Sequence, residues 1–198
     1  MKGDMPSLSG KRVVLGPGEY FASEKEIVIS TLLGSCVAAC LWDKQNRIIG
    51  MNHFLLAHRR YAKSEPLCRT EAGKYGIHSM ELLINGMMKL GARRENLRAK
   101  AFGGASVMNT GRRDNFLCVG EVNCRFIVEF LKTDGIPLVA SDLGGDVGRV
   151  IHFFSDDFSV YSRKMGKTTQ EQIAKKEHGF WKSSIEKEEV AQTPEIWL

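Results

Sequence analysis

Two apolar runs, Val37–Trp42 and Ile48–Leu56, flank the polar residues Asp43-Lys44-Gln45-Asn46-Arg47. Runs of strand length around a turn-forming segment read as a β-hairpin. A hairpin closes in few ways, because side chains alternate between its faces and a slip of one residue turns each of them to the opposite side. Pairing Trp42 with Ile49 sets Cys36 opposite Leu55 and makes His53 the diagonal neighbour of Cys36 on the same face, roughly 7 to 8 Å away along the backbone. A thiol and an imidazole in one pocket suffice for nucleophilic catalysis, since the thiolate attacks and the imidazole carries the proton. Gly34, two residues before the thiol, suits a tight approach turn. The same residues also admit a plainer reading. A free cysteine is often a small buried hydrophobe, and Thr31 just upstream is an ordinary β-branched strand residue.

Composition limits the other chemistries. The chain has 198 residues, 43% hydrophobic and 26% charged, which suits one domain with a real core. Its net charge of +5 is spread over interspersed basic and acidic residues, too weak a bias to predict nucleic-acid binding. The N-terminal stretch MKGDMPSLSGKR carries no long apolar segment, and no run approaches the ~20 apolar residues of a membrane span, so a cytoplasmic protein without membrane insertion is expected. Five cysteines (36, 40, 68, 118 and 124) form no C-x-x-C pair, which argues against a disulfide framework. A zinc site from Cys36, Cys40 and His53 lacks paired-ligand spacing, so no metal and no cofactor is expected.

Along the rest of the chain, Val13–Leu15 and Ile27–Ser30 read as strands separated by a Gly16-Pro17-Gly18 turn and a charged stretch. The polar, basic segment His58–Pro66 reads as a surface loop, with a substrate lip as the alternative. Ile77, Met80, Leu83, Ile84 and Met87 recur at helical steps over about 76–90, with Gly91 at the C-terminal cap, and His78 is a polar neighbour at the helix start. Arg98–Phe102 reads as a strand leading into Gly103-Gly104. Those two glycines form either a tight turn or a lining of exposed amides for an oxyanion or substrate slot. A second helix over about 116–133 follows a Gly111–Asn115 turn, with Phe116, Val119, Val122, Phe126, Ile127 and Phe130 as its stripe. Ile136–Ser141, Arg149–Phe154 and Phe158–Arg163 read as strands. These elements predict an α+β fold, a single layered domain with a mixed or antiparallel β core flanked by helices. Residues 166–198 change character. They open on the capping-box pattern Thr168-Thr169-Gln170-Glu171, continue as a charged helix to about Val190, and carry Ile173, Phe180, Trp181 and Ile185 that suit docking on the domain or a partner.

The segments TLLGSCVAACLWD, GMNHFLLA, KAFGGASV and NTGRRDNF, in this order, resemble the CheD family of chemoreceptor glutamine deamidases, and the resemblance runs from about Val13 to about Met165. It implies a cysteine hydrolase domain over 1–165, with 166–198 as a C-terminal helical extension outside it. It also implies that Cys36 is the nucleophile, His53 the general base and acid, and Thr31 the residue orienting the imidazole through its hydroxyl. Backbone amides near Ser35 and Cys36 would hold the oxyanion, with Gly34, Ser35, Gly103 and Gly104 as further pocket residues. The activity implied is protein-glutamine glutaminase: a glutamine on the cytoplasmic helices of methyl-accepting chemotaxis proteins becomes glutamate plus ammonia. Methylesterase activity is a related possibility, and a CheC-type phosphatase the implied regulatory partner. The chain departs from the family pattern at Asp114 and Ala57, where the family commonly carries asparagine and proline. Two alternatives stand beside this reading, a non-enzymatic module binding a chemotaxis partner and a cysteine hydrolase for another amide or ester. A glutamine presented end-on from a long helix further predicts a shallow, exposed site.

Overall fold

The computed structural model describes residues 11–56, 70–106, 119–180 and 182. The strands are β1 (Lys11–Leu15), β2 (Tyr20–Ser23), β3 (Ile27–Leu33), β4 (Val37–Asp43), β5 (Ile48–Asn52), β6 (Leu97–Gly103), β7 (Leu138–Leu143), β8 (Arg149–Phe154) and β9 (Val160–Lys164). The helices are α1 (Glu71–Lys89), α2 (Val119–Thr133) and α3 (Lys167–Phe180). They build two mixed sheets, one ordered β1-β3-β8-β9 and one ordered β2-β5-β4-β6-β7. Only the β1/β3 and β6/β7 pairs are parallel. This is the layered α+β architecture expected from the sequence.

Alternation along β4 explains the layering. Val37, Ala39 and Leu41 face one core, where they meet the stripes of α1 (Met80, Leu83, Ile84, Met87) and α2 (Val122, Phe126, Ile127, Phe130). Cys36, Ala38, Cys40 and Trp42 face the other core, where they meet Ile29 and Leu33 of β3 and Ile151 and Phe153 of β8. The five-stranded sheet is therefore sandwiched between helices and the four-stranded sheet, and β4 is buried along its whole length. Each large side chain removed from water in this way contributes about 1.5 to 3 kcal/mol. Thr70 caps α1 by accepting from the Gly73 amide at 3.0 Å.

Several boundaries differ from the sequence reading. α1 begins at Glu71, a turn before the periodic residues start, and β7 is shifted two residues to Leu138–Leu143. β2, in a stretch whose sequence reads as turn and charged segment, is a four-residue edge strand on β5 with three of its residues partly or well exposed. A strand that short and that wet carries almost no apolar alternation. The expected loop at 58–66, the start of the second helix at 111–118 and the helix beyond Phe180 lie outside the described residues, apart from position 182.

Candidate active site

The chain passes from one sheet to the other through Gly34-Ser35-Cys36, the turn between β3 and β4. That crossing brings Thr31 of one sheet to His53 at the end of β5 in the other, with Cys36 in the turn itself. The hairpin register is the expected one: Trp42 faces Ile49 and Cys40 faces Met51, and past the end of β5 an isolated bridge joins Val37 to Phe54. At the Ala39/Asn52 position a side chain enters the ladder, because the Ala39 amide donates to Asn52 Oδ1 at 3.0 Å. Main chain fixes His53 from the β2 side as well. Its amide donates to the Glu19 carbonyl at 2.9 Å and its carbonyl accepts from Gly18 at 2.7 Å.

Hydrogen bonds decide the imidazole's tautomer. Thr31 Oγ1 donates its single proton to the Leu15 carbonyl at 2.7 Å. The hydroxyl can therefore only accept at its other contact, His53 Nδ1 at 2.8 Å, so the ring proton sits on Nδ1. That leaves the lone pair on Nε2, which is buried and has no hydrogen-bond partner among the described residues. The Cys36 sulfur, a His53 ring nitrogen and a Glu177 carboxylate oxygen all lie within 4.8 Å of one another. A basic nitrogen free of other duties thus stands beside a thiol.

Glu177, on α3, is the residue that sequence reasoning missed. Its Oε1 accepts from the Gly34 amide at 2.8 Å and the Cys36 amide at 3.4 Å, and its Oε2 accepts from the Ser35 amide and hydroxyl, both at 2.7 Å. Three consecutive backbone N–H groups converging on one carboxylate form an anion nest. A Cβ on Gly34 would stand 2.8 Å from Glu177 Oε2, so a side chain there would displace the carboxylate. The only hint in the sequence is the spacing of Ile173, Glu177 and Phe180, which puts an acid in the middle of a helix's apolar face.

The expectation of a shallow, exposed site is corrected by this contact. Cys36 is 0% exposed, His53 2% and Glu177 1%, and the Glu177 carboxylate is bonded to the turn that carries the thiol. Burial first, and then the adjacent carboxylate, push the Cys36 thiol well above its ordinary pKa. Burial also holds His53 below the usual imidazole value, against the opposing pull of Glu177. The pair therefore rests as neutral thiol and neutral imidazole. Thiolate, imidazole and carboxylate are together a zinc-compatible donor set. Here, however, both carboxylate oxygens are already engaged by N–H and O–H donors, which suits an organic acid or amide in the nest. Surface clefts at Trp42, Lys44, Arg98 and Lys100 lie at the other end of β4 from Cys36.

Gly103 and Gly104 sit behind the Gly34-Ser35-Cys36 turn. The Gly104 amide donates to the Cys36 carbonyl at 2.7 Å, and the next amide, Ala105, to the Gly34 carbonyl at 2.8 Å. Both glycines have left-handed backbones, with φ of 113° and 70°. Two further buried side chains brace the same turn and were not read from the sequence. Asn123 of α2 donates to the Ser35 carbonyl at 2.9 Å and accepts from the Leu56 amide at 2.9 Å, tying the cysteine turn to the strand end that carries His53. Arg149 of β8 donates to the Gly103 carbonyl at 3.3 Å and the Gly144 carbonyl at 2.6 Å.

An α+β domain with a cysteine, an oriented histidine and an anion nest at the seam of two sheets is laid out as amide- and ester-cleaving proteins are. A family profile described as "CheD chemotactic sensory transduction" matches residues 55–164. A Geobacter sulfurreducens protein named "Probable chemoreceptor glutamine deamidase CheD 1" is 52% identical over 194 residues, 96% of each chain. The Shewanella oneidensis protein of the same name numbered CheD 2 is 47% identical over 82% of this chain and 80% of its own. A Rhizobium leguminosarum bv. trifolii protein with that name is 48% identical over 74% and 76%. The chain belongs to the CheD family. Among the described residues, no helix is long and apolar enough to cross a membrane.

Proposed function

We propose that this chain is a protein-glutamine deamidase acting on glutamines of chemoreceptor cytoplasmic helices, with Cys36, His53 and Thr31 as its catalytic set. The observation that carries the reading is the proton geometry: Thr31 fixes the Nδ1–H tautomer, so the free Nε2 lone pair is the base for the neighbouring thiol. The names of the relatives support the substrate.

His53 takes the Cys36 proton as the thiolate attacks the carboxamide carbon. The developing oxyanion is held by the Gly34, Ser35 and Cys36 amides, the donors that now hold a carboxylate. His53 returns the proton to the departing nitrogen, ammonia leaves, and a thioester remains on Cys36. Water, deprotonated by His53, cleaves the thioester to glutamate and restores the thiol. No step draws on a metal or organic cofactor. General-base assistance contributes about 10²- to 10⁴-fold and one oxyanion donor about 10²- to 10³-fold, so both are needed for useful turnover. A glutamate methyl ester fits the same chemistry. The domain carrying it is 1–165, with 166–198 as an appended helical extension. The working compartment is the cytoplasm, where receptor helices are presented, and a CheC-type phosphatase is the regulatory partner.

Incubating the full chain with receptor cytoplasmic fragments, then measuring peptide masses, is expected to show glutamine converted to glutamate at defined positions. Tight binding with no mass change would instead identify a binding module. Hydrolysis confined to other amides or esters would identify a different hydrolase, and either result ends this reading.

Thr31→Val should lower kcat about 10- to 100-fold. It leaves a buried Nδ1–H and the Leu15 carbonyl without their partner, a cost of about 1 to 3 kcal/mol, and frees the ring to turn. Thr31→Ser should recover most of the loss in the same steady-state assay, which separates the hydroxyl's role from that of the β-methyl group.

A further inference from the structure

We propose that α3 occupies the substrate seat as a tethered product: Glu177 sits where the side chain of a receptor glutamine must go, and α3 has to lift before substrate can enter. That the seat holds a product analogue rests on the deamidase reading; that the seat is occupied rests on geometry alone.

The contact is specific in three ways. The carboxylate takes all three amides of the nucleophile turn and the Ser35 hydroxyl, with distances of 2.7 to 3.4 Å. It is presented by a helix, as a receptor glutamine would be. Glutamate is also what the reaction leaves behind, so the described state has the form of an enzyme with its product in place.

Docking is also built into the rest of that helix face. Ile173, one turn before Glu177, is buried at 8% exposure, and Phe180, almost one turn after it, is packed against the inter-sheet core. The Phe180 ring lies over Gly18, where a Cβ would come within 2.8 Å of it, and Gly18 is the residue whose amide holds the His53 carbonyl. The Phe180 contact thus anchors the helix on the His53 side of the site. Held this way the carboxylate fills the amides beside the thiol, and its negative charge disfavours the thiolate, so the same contact fills the seat and quiets the nucleophile. A receptor helix would compete for the seat with an intramolecular ligand at high effective concentration.

Two full-length variants test this. Glu177→Lys puts an ammonium among N–H donors and should expel α3. Iodoacetamide alkylation of Cys36, mapped by peptide mass, is expected to speed up by at least about tenfold, while Cys40, fully buried four residues along the chain, keeps its wild-type rate. An unchanged Cys36 rate overturns the proposal. So does a parallel rise at Cys40, which would mean that the domain had opened instead of the helix lifting.

Glu177→Gln places the substrate's functional group at the seat, its oxygen on the Gly34 and Cys36 amides and its uncharged NH2 donating to Ser35 Oγ, which accepts in place of donating. The carboxamide so introduced should then be converted to a carboxylate within the molecule, with Cys36 bonding to the amide carbon, ammonia leaving and water completing the hydrolysis. The Glu177→Gln/Cys36→Ala double variant should keep its carboxamide. A Glu177→Gln preparation that converts receptor glutamines while its own introduced amide persists overturns the product-like alignment. Faster Cys36 alkylation in Glu177→Lys, with neither the introduced amide nor receptor glutamines converted, overturns the deamidase reading and leaves the occupied seat standing.

Discussion

Cys36→Ala should reduce ammonia release from receptor fragments to the uncatalysed background, and His53→Gln should lower kcat by about 10²- to 10⁴-fold. The alanine variant loses the only atom able to form the thioester, so no residual covalent route exists. The glutamine variant keeps the thiol and the amide nest but has no lone pair basic enough to take the proton. Because Cys36 is pushed well above its ordinary pKa in the covered state, the thiol cannot ionise unaided at neutral pH, which places the full burden on the imidazole. Circular dichroism should show both variants folded, since each replacement is smaller than or similar to the original. Coupled ammonia detection and receptor peptide masses give the rates. Conversion by the Cys36→Ala protein at anything near the wild-type rate would remove Cys36 from the nucleophile's role.

Gly103→Ala should be the more damaging of two single-methyl changes at left-handed glycines. A Cβ at that position would overlap the Cys36 carbonyl oxygen and stand 3.1 Å from Val37 Cα, on a backbone with φ of 113°. The backbone conformation alone costs about 1 to 3 kcal/mol for a residue with a side chain. The overlap is with main chain that cannot swing aside, so the total should exceed about 3 kcal/mol, or roughly 6 to 12 °C in Tm for a chain of this size. Gly144→Ala is the control. Its φ is 78° but nothing lies within 4 Å of its Cβ position, so only the conformational cost of about 1 kcal/mol applies. Thermal melts of the two proteins side by side test the difference; equal melting points would mean that Gly103 is not packed against the nucleophile turn.

The hairpin was legible because two apolar runs of strand length, Val37–Trp42 and Ile48–Leu56, flank a polar turn, and its register was the pairing that sets Cys36 and His53 on one face. The stripes of α1 and α2 were legible because each faces a continuous apolar layer. Thr31 could be placed beside His53 only through the family resemblance, since nothing local distinguishes its hydroxyl from that of any strand threonine. Glu177 was out of reach. An acid on a lysine-rich helix reads as solvated, and what makes it otherwise is a set of amide dipoles 141 to 143 residues away in sequence. Asn52, Asn123 and Arg149 share that difficulty: each satisfies backbone groups belonging to a distant segment, and no periodicity records such a pairing. β2 was missed because an edge strand of four residues has little to alternate.

The position of the site on the seam between the two sheets has a mechanical consequence. Thr31 belongs to one sheet, while His53 directly follows a strand of the other, so the 2.8 Å contact between threonine and imidazole spans the boundary. Any shear of one sheet over the other lengthens that contact before it breaks a single ladder bond within either sheet. With Thr31 orienting His53 as proposed, turnover is expected to act as a strain gauge for the inter-sheet packing, and loosening far from the thiol to register as lost rate well ahead of any loss of secondary structure.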